Sequence, residues 1–412
     1  MSALDIDPGA SPAEPSSSIP SGLPIPTQLA LQIASKIAIG QLTVTLPDGR
    51  SMVFAGKTPG PKAVLVVNDH RFATRILRDG DIGVAEGFLS GDWTSPDLPV
   101  FLELFCVNAE HTSAHLLAKP LFRALQNFQH WLRRNTKAGA RRNIEAHYDL
   151  GNAFYEQWLD PSMTYSSALF VDETEELEEA QRTKYRALAD AAGMREGEHV
   201  LEIGCGWGGF AEFAAKEVGA RVTALTISPA QLDYARRRIF QAGLSERVTF
   251  KLQDYRDERG VFDRIASIEM FEAVGEKWWP AFFAQLRDRL RPGGAAGVQV
   301  ITIQDRLFEA YRRETDFIQR YVFPGGMLPS PTALRTAATK AGLAVSDERI
   351  FGLDYAATLS KWRDRFRAAW PTIQPLGFDE RFRRLWEYYL AYCEAGFRSG
   401  NIDVRQVVFA RS

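Results

Sequence analysis

The residues most suited to chemistry lie in LEIGCGWGG, positions 201 to 209, between an apolar run and a helix-like one. Gly204, Gly206 and Gly209 spell G-x-G-x-x-G, a spacing that lets backbone N–H groups approach a ligand where a strand turns into a helix. Two features argue against a dinucleotide site. Glu202 stands two residues before Gly204, where a carboxylate would repel a pyrophosphate and attract a cation. The next strand ends Leu225-Thr226-Ile227-Ser228, without the acid that a nicotinamide site sets over the ribose hydroxyls. The ligand this pattern implies is S-adenosylmethionine, whose sulfonium and ammonium are both positive. The bland alternative is a glycine turn with no ligand.

The elements around the loop alternate regularly. HVLEIG, RVTALTI, VTFKLQD, FDRIASIEM and GVQVITI read as strands; GFAEFAAKEV and SPAQLDYARRRIFQAGL read as intervening helices, the latter with a Ser cap and an early Pro. WWPAFFAQLRDRLRPGG reads as a helix closed by Pro-Gly-Gly. The pattern predicts a doubly wound α/β domain with a mostly parallel sheet over residues 145–412.

Upstream, residues 1–25 are rich in Pro, Ser and Gly and too poor in large apolar groups to offset their ordering entropy, so they read as disordered. Residues 26–110 hold short β-rich runs split by Pro-Asp-Gly and read as a small α+β domain without a catalytic cluster. Residues 111–144 read as a helical, basic linker. Its Arg133, Arg134, Arg141 and Arg142 are either solvated or apposed to anionic headgroups.

Composition sets outer bounds. The chain has 412 residues, 45% hydrophobic and 24% charged, with a formal net charge of -2, which argues against a dedicated nucleic-acid binder. Its three cysteines (Cys106, Cys205 and Cys393) are too scattered for a disulfide framework or a zinc site, and no metal is expected. There is no leader-like start and no apolar run of membrane-spanning length, so a cytoplasmic protein touching the inner membrane peripherally is expected.

Several further stretches carry a resemblance: HYDLGNAFYEQWLDPSMTYSSA, LTISPAQ, LQDYRD, FDRIASIEMFEAVG, YVFPGGMLPS, FGLDYAATLSKW and YYLAYCEAGFR. Together with the glycine loop, and in this order from about His147 to Arg411, they resemble the cyclopropane-fatty-acyl-phospholipid synthases and mycolic acid methyltransferases. The resemblance implies a seven-stranded class I methyltransferase sheet with a helical lid over an acyl tunnel. It places Tyr165 and Ser166 against the cofactor. Leu201, Glu202, Ile203, Gly204 and Cys205, continuing through Gly206, Trp207, Gly208 and Gly209, become the methionine and ribose cradle. Thr226, Ile227, Ser228 and Gln231 take the part of the missing acid, Tyr255 and Arg256 border the adenine, and Ile268 approaches the cofactor.

The implied substrate is the cis double bond of a phospholipid acyl chain, with a homodimer possible and nucleic acid excluded. Methyl transfer to an alkene creates a carbocation that must be shielded and deprotonated. In the family a bound bicarbonate takes the proton, held by Glu and Tyr side chains, a Cys, a His and a backbone group. Glu272 and Tyr355 match the first two. Ser167 replaces the Cys, Ile301 replaces the His, and Ala273 replaces another His in the family's F-E-H-V-G. Losing such donors weakens an anion pocket, so bicarbonate is doubtful here. The product then lies between a cyclopropane and a methylated or dienoic chain. Cys393 matches a cysteine often treated as active, although alkene methylation has no covalent-enzyme step; packing is an equal reading. Cys205 reads as a small spacer. KWRDRFRAAW and FRRLWEYYL place aromatics at helical spacing, for lid packing or headgroup contact. The rivals are a lipid-binding relative without turnover and a small-molecule or RNA methyltransferase.

Overall fold

The computed structural model describes residues 19–116, 150–172 and 174–411. The chain divides into two compact units, residues 1–118 and 119–412. The basic stretch with Arg133, Arg134, Arg141 and Arg142 lies outside the described residues, as do residues 1–18.

The first unit begins with α1 (Ile25–Ala34), led in by Pro24. Strands β1 (Ile39–Thr45), β2 (Ser51–Ala55), β3 (Thr58–Val67) and β4 (Trp93–Thr94) form one sheet in the order β2-β1-β3-β4. The Pro-Asp-Gly signal is the β1–β2 turn, where Gly49 takes a φ of 85°. Helices α2 (Arg71–Asp79), α3 (Asp81–Leu89) and α4 (Leu98–Leu116) complete the unit.

The second unit carries α5 (Asn152–Tyr155) and α6 (Leu177–Ala191), followed by β5 (His199–Ile203), α7 (Gly209–Phe213), β6 (Arg221–Thr226), α8 (Pro229–Gln241), β7 (Val248–Leu252) and β8 (Phe262–Ile268). After these come α9 (Trp279–Arg289), β9 (Leu290–Ile303), α10 (Asp305–Tyr311), α11 (Phe317–Tyr321), α12 (Pro331–Lys340), β10 (Leu343–Ile350), α13 (Gly352–Ile373), α14 (Glu380–Arg398) and β11 (Ile402–Arg411). Seven strands form one sheet in the order β10-β11-β9-β8-β5-β6-β7. The run β9-β8-β5-β6-β7 is parallel, while β11 pairs antiparallel with both β9 and β10. This is the class I methyltransferase sheet.

Both faces are packed, as a parallel sheet requires. Leu201, Ile203, Ile265, Val298 and Phe409 meet α9 residues Phe282, Phe283 and Leu286 on one side; Val200, Val222, Ala224 and Ala266 meet Leu188, Phe210 and Ala235 on the other. Two local readings need correction. The helix at WWPAFFAQLRDRL stops at Arg289, and Pro292, Gly293 and Gly294 belong to β9, whose Leu290 already pairs with Phe262. The helix after the glycine loop is α-helical only to Phe213 and widens to a π turn over Ala214–Val218.

Candidate active site

Strand order reverses between β5 and β8: the chain leaves β5 toward β6 and β7 on one side, then returns to β8 on the other. In such sheets the crevice beyond the carboxyl ends of the strands at this switch is where ligands bind. The glycine loop leaves β5 there. Gly204, Gly206 and Gly208 all take left-handed backbone, with φ of 83°, 50° and 85°, a region where side chains are disfavoured. The N–H groups of Gly204 and Cys205 both donate to the Leu225 carbonyl, tying the loop to β6. A Cβ on Gly204 would lie 2.6 Å from Met270 Cγ, so the loop abuts the residues just past β8.

Glu202 sits on β5, 3% exposed, and one of its carboxylate oxygens is buried with no hydrogen-bond partner. Burial pushes its pKa up to about 8, opposed by the charge of Arg238. A lone buried carboxylate oxygen is costly and matches a cationic ligand. On β6 the Ser cap forms as expected: Ser228 Oγ accepts from the Gln231 N–H at 3.3 Å, and Thr226 Oγ1 donates to Gln231 Oε1 at 2.9 Å. Ile227 lies between them at the strand end. Tyr255 packs on Phe282, and Arg256 pairs with Asp254 at 2.6 Å and covers the Trp278 ring. Trp207 donates its indole N–H to Asn152 Oδ1 at 2.8 Å. Leu201, Ile203 and Cys205 are buried in the core beneath the loop, with Ile268 packed at its edge. Gly209 is crowded by the Tyr185 hydroxyl, 2.7 Å from where its Cβ would be.

The lead-in residues go elsewhere than a cofactor surface alone would require. The Tyr165 hydroxyl shares a 2.7 Å hydrogen bond with that of Tyr389, and its ring packs on Trp362. Ser166 Oγ accepts from Lys184 Nζ at 2.7 Å. Lys184 has no accessible surface, and burial brings its pKa down to about 7 against the pull of Glu269 and Asp160.

The resemblance set Glu272 and Tyr355 around one site, and the structure adds a second acid there, Glu269, as the bonded partner of Tyr355. Its hydroxyl donates to Oε2 of Glu269 at 2.6 Å. Oε1 of Glu269 accepts from the Ser167 N–H and from Gln299 Nε2, both at 2.8 Å. Gln299 is held in turn by Gln406 on β11 at 3.1 Å. Glu272, three residues further on, accepts from the Ile301 N–H at 2.6 Å, and its second oxygen is buried without a partner. Burial, reinforced by the Glu269 charge, raises Glu272 to about 8. Glu269 is also raised by burial, but Tyr355, Lys184, Ser167 and Gln299 all oppose the rise. Glu269 is thus surrounded by groups that favour its charge, whereas Glu272 has one donor, the Ile301 N–H. Ser167 Oγ is spent on the Ala168 carbonyl at 2.8 Å. Cys393 titrates well above the ordinary thiol range because of burial.

Beside this acidic cluster stands an aromatic wall. Tyr155, Trp158, Tyr165, Trp362, Trp386 and Tyr389 are in successive ring contact at 5.1–5.9 Å between centroids. It links α5 and the lead-in to α13 and α14, which are also joined by the buried Arg363–Glu394 pair at 3.3 Å.

A switch-point crevice with a left-handed glycine cradle and a lone buried acid defines a class I methyltransferase using S-adenosylmethionine. The chain also matches the model of the mycolic acid cyclopropane synthetase family over residues 135–407, and it belongs to that family. It is 40% identical over 372 residues to tuberculostearic acid methyltransferase UfaA1 of Mycobacterium tuberculosis, covering 86% of this chain and 84% of the relative. It is 36% identical to the cyclopropane-fatty-acyl-phospholipid synthase of Escherichia coli K12, covering 84% and 87% respectively. The solved mycolic acid cyclopropane synthase CmaA1, complexed with SAH and CTAB, superposes with a TM-score of 0.63 at 30% identity, covering 66% of this chain and 98% of that one. The chain is thus an S-adenosylmethionine-dependent methyltransferase of a family that modifies lipid acyl chains.

The bicarbonate pocket implied by the resemblance fits less well. Tyr355 and the Ser167 N–H, two of its expected donors, are already bonded to a carboxylate of the protein itself, and that carboxylate would repel an anion.

Proposed function

We propose that this protein methylates the double bond of an unsaturated acyl chain carried by a membrane phospholipid. The observation that carries the reading is the position of the acidic cluster at Glu269, Glu272 and Tyr355. Its two acids follow β8 beside the cradle that follows β5, where Gly204 abuts Met270, and Tyr355 reaches Glu269 from α13 next to the aromatic wall at Trp362.

Bound S-adenosylmethionine supplies an electrophilic methyl group. Glu202 would hold the cationic end of the donor by charge, while Thr226, Ser228, Gln231, Tyr255 and Arg256 would border its nucleoside. The aromatic side chains of α13 and α14 position the acyl chain and keep water from the cation formed on it. A carboxylate of the cluster then removes one proton. Loss from the transferred methyl closes a cyclopropane; loss from a neighbouring chain carbon leaves a methylated alkene.

The methylated chain is the preferred product. The relative at 40% identity is named as a methyltransferase, and Ser167, Ala273 and Ile301 depart from the ring-forming pattern. Ring closure is the second reading, favoured by the 36% identity to the Escherichia coli synthase.

The reading also puts the protein at the inner membrane's cytoplasmic surface. Among the described residues no helix is long and apolar enough to cross a membrane. Val171 and Leu353 are 77% and 71% exposed, on segments joined by the Phe170–Asp354 hydrogen bond, and Lys361 stands over the Phe170 ring. Such a tip suits a headgroup interface.

Expression in a host with unsaturated phospholipids, followed by lipid mass spectrometry, tests the proposal. Acyl chains heavier by one CH2 are expected, and an unchanged lipid profile despite folded, donor-binding protein overturns it. With a trideuterated methyl donor, ring closure discards one deuterium, whereas proton loss from the chain keeps all three.

A further inference from the structure

Glu269 has three properties that a structural acid has no need of. Its backbone is left-handed, with a φ of 49°, one of only two non-glycine residues among those described with a positive φ. An L side chain is disfavoured there, so the fold tolerates strain to place this carboxylate. It is held on both oxygens, Oε2 by Tyr355 and Oε1 by Ser167 and Gln299, while the residue as a whole is half-buried rather than sealed in the core. Finally, buried polar groups with no place in an apolar core converge behind it. Gln299 is braced by Gln406, and Lys184 lies close enough to favour the ionised carboxylate.

We propose that the Glu269 carboxylate is itself the proton acceptor of the reaction, standing where a diffusible bicarbonate would otherwise have to bind. The inference rests on the reading of alkene methylation above. After methyl transfer the substrate is a carbocation. A Glu269 oxygen forms an O–H bond as one substrate C–H bond breaks, and the C–H electron pair fills the empty carbon orbital, giving the neutral product and a neutral Glu269. Tyr355 and Gln299 keep the carboxylate in place and its free lone pair pointed outward. Glu272, whose charge is disfavoured by burial and by the Glu269 charge, is bonded to the Ile301 N–H and serves as a neutral neighbour.

The test uses the full chain and two variants. Glu269→Gly places in this left-handed position the residue that favours it, so the fold is retained, and empties the anion's place. Glu269→Gln keeps the shape without the base. In the first arm, 13C-bicarbonate is titrated into each protein and followed by NMR line broadening. No binding to the native protein and binding to Glu269→Gly are expected; binding to the native protein as strong as to Glu269→Gly overturns the inference. In the second arm, turnover on unsaturated phospholipid vesicles is measured in degassed buffer. The native enzyme is expected to lose less than twofold when bicarbonate is removed, and both variants to fall at least a hundredfold, the usual reach of a general base. Added bicarbonate or formate should restore at least tenfold to Glu269→Gly alone. A native enzyme that stalls without bicarbonate, or variants that do not, would refute the assignment. Absence of any lipid product from the native enzyme would instead count against the proposed function, leaving the binding arm to judge Glu269.

Discussion

Replacing Glu202 by glutamine separates stability from ligand binding at one atom. In the folded protein this carboxyl group titrates near 8 because burial disfavours its charge, whereas in the unfolded chain it titrates near the ordinary glutamate value of about 4.3. As pH rises through the unfolded value, the unfolded chain gives up the proton and the folded one keeps it. Stability therefore falls between about pH 4 and 8 and is level above that window. The full span corresponds to a ceiling on the order of 5 kcal/mol at about 1.4 kcal/mol per pH unit. Even a loss of ~2 kcal/mol equals a Tm difference of roughly 4–8 °C for a domain of this size. Glutamine has no proton to lose. Glu202→Gln should therefore unfold with the native protein near pH 4 and several degrees above it near pH 8.5. Donor binding should move the opposite way. Losing a charge-assisted contact of about 1.5–3 kcal/mol weakens S-adenosylmethionine binding roughly ten- to a hundredfold, so saturating donor should stabilise the native protein more than the variant. Thermal unfolding across pH and calorimetric titration give both quantities. A variant no more stable at pH 8.5, or one binding the donor as tightly as the native protein, would refute the account of Glu202.

Two other changes probe the acidic cluster and its surroundings. Lys184→Met removes the buried amine whose charge favours an ionised Glu269, so the rising limb of the pH–rate profile should move to higher pH; an unmoved limb would mean the charge is not felt at the reacting group. Cys393→Ala should keep turnover within about threefold, since burial holds the thiol too protonated to act as a nucleophile, and a loss of a hundredfold would reverse that view.

How much of this was legible in the sequence depends on the range of the forces involved. The glycine loop, the Ser228 cap and the parallel strands were readable because strand and helix periodicity and capping act within a few residues. The end of α9 was misplaced because Pro-Gly-Gly ordinarily closes a helix, whereas here pairing of β9 with β8 draws those residues into the sheet. Glu269, the acid that bonds Tyr355, was not singled out, although it stands in the same short motif as Glu272. The clue was present but divided: an acid ending the strand FDRIASI, a glutamine inside GVQVITI, a lysine on α6 and a glutamine inside DVRQVVF. Only the sheet order, which sets Ile268 opposite Gln299 and Gln299 opposite Gln406, brings these scattered polar residues to one point. Which acid meets Tyr355 needed the register.

The placement of β11 has a consequence for biosynthesis. This strand is inserted between β9 and β10, so the sheet remains split until residues 402–411 are available. At ribosomal rates of 5–20 residues per second, the roughly hundred residues separating the two strands take about 5–20 s to emerge. For that interval the nascent chain presents the long, apolar edge of β9 without its neighbour, a natural target for a chaperone and for self-association.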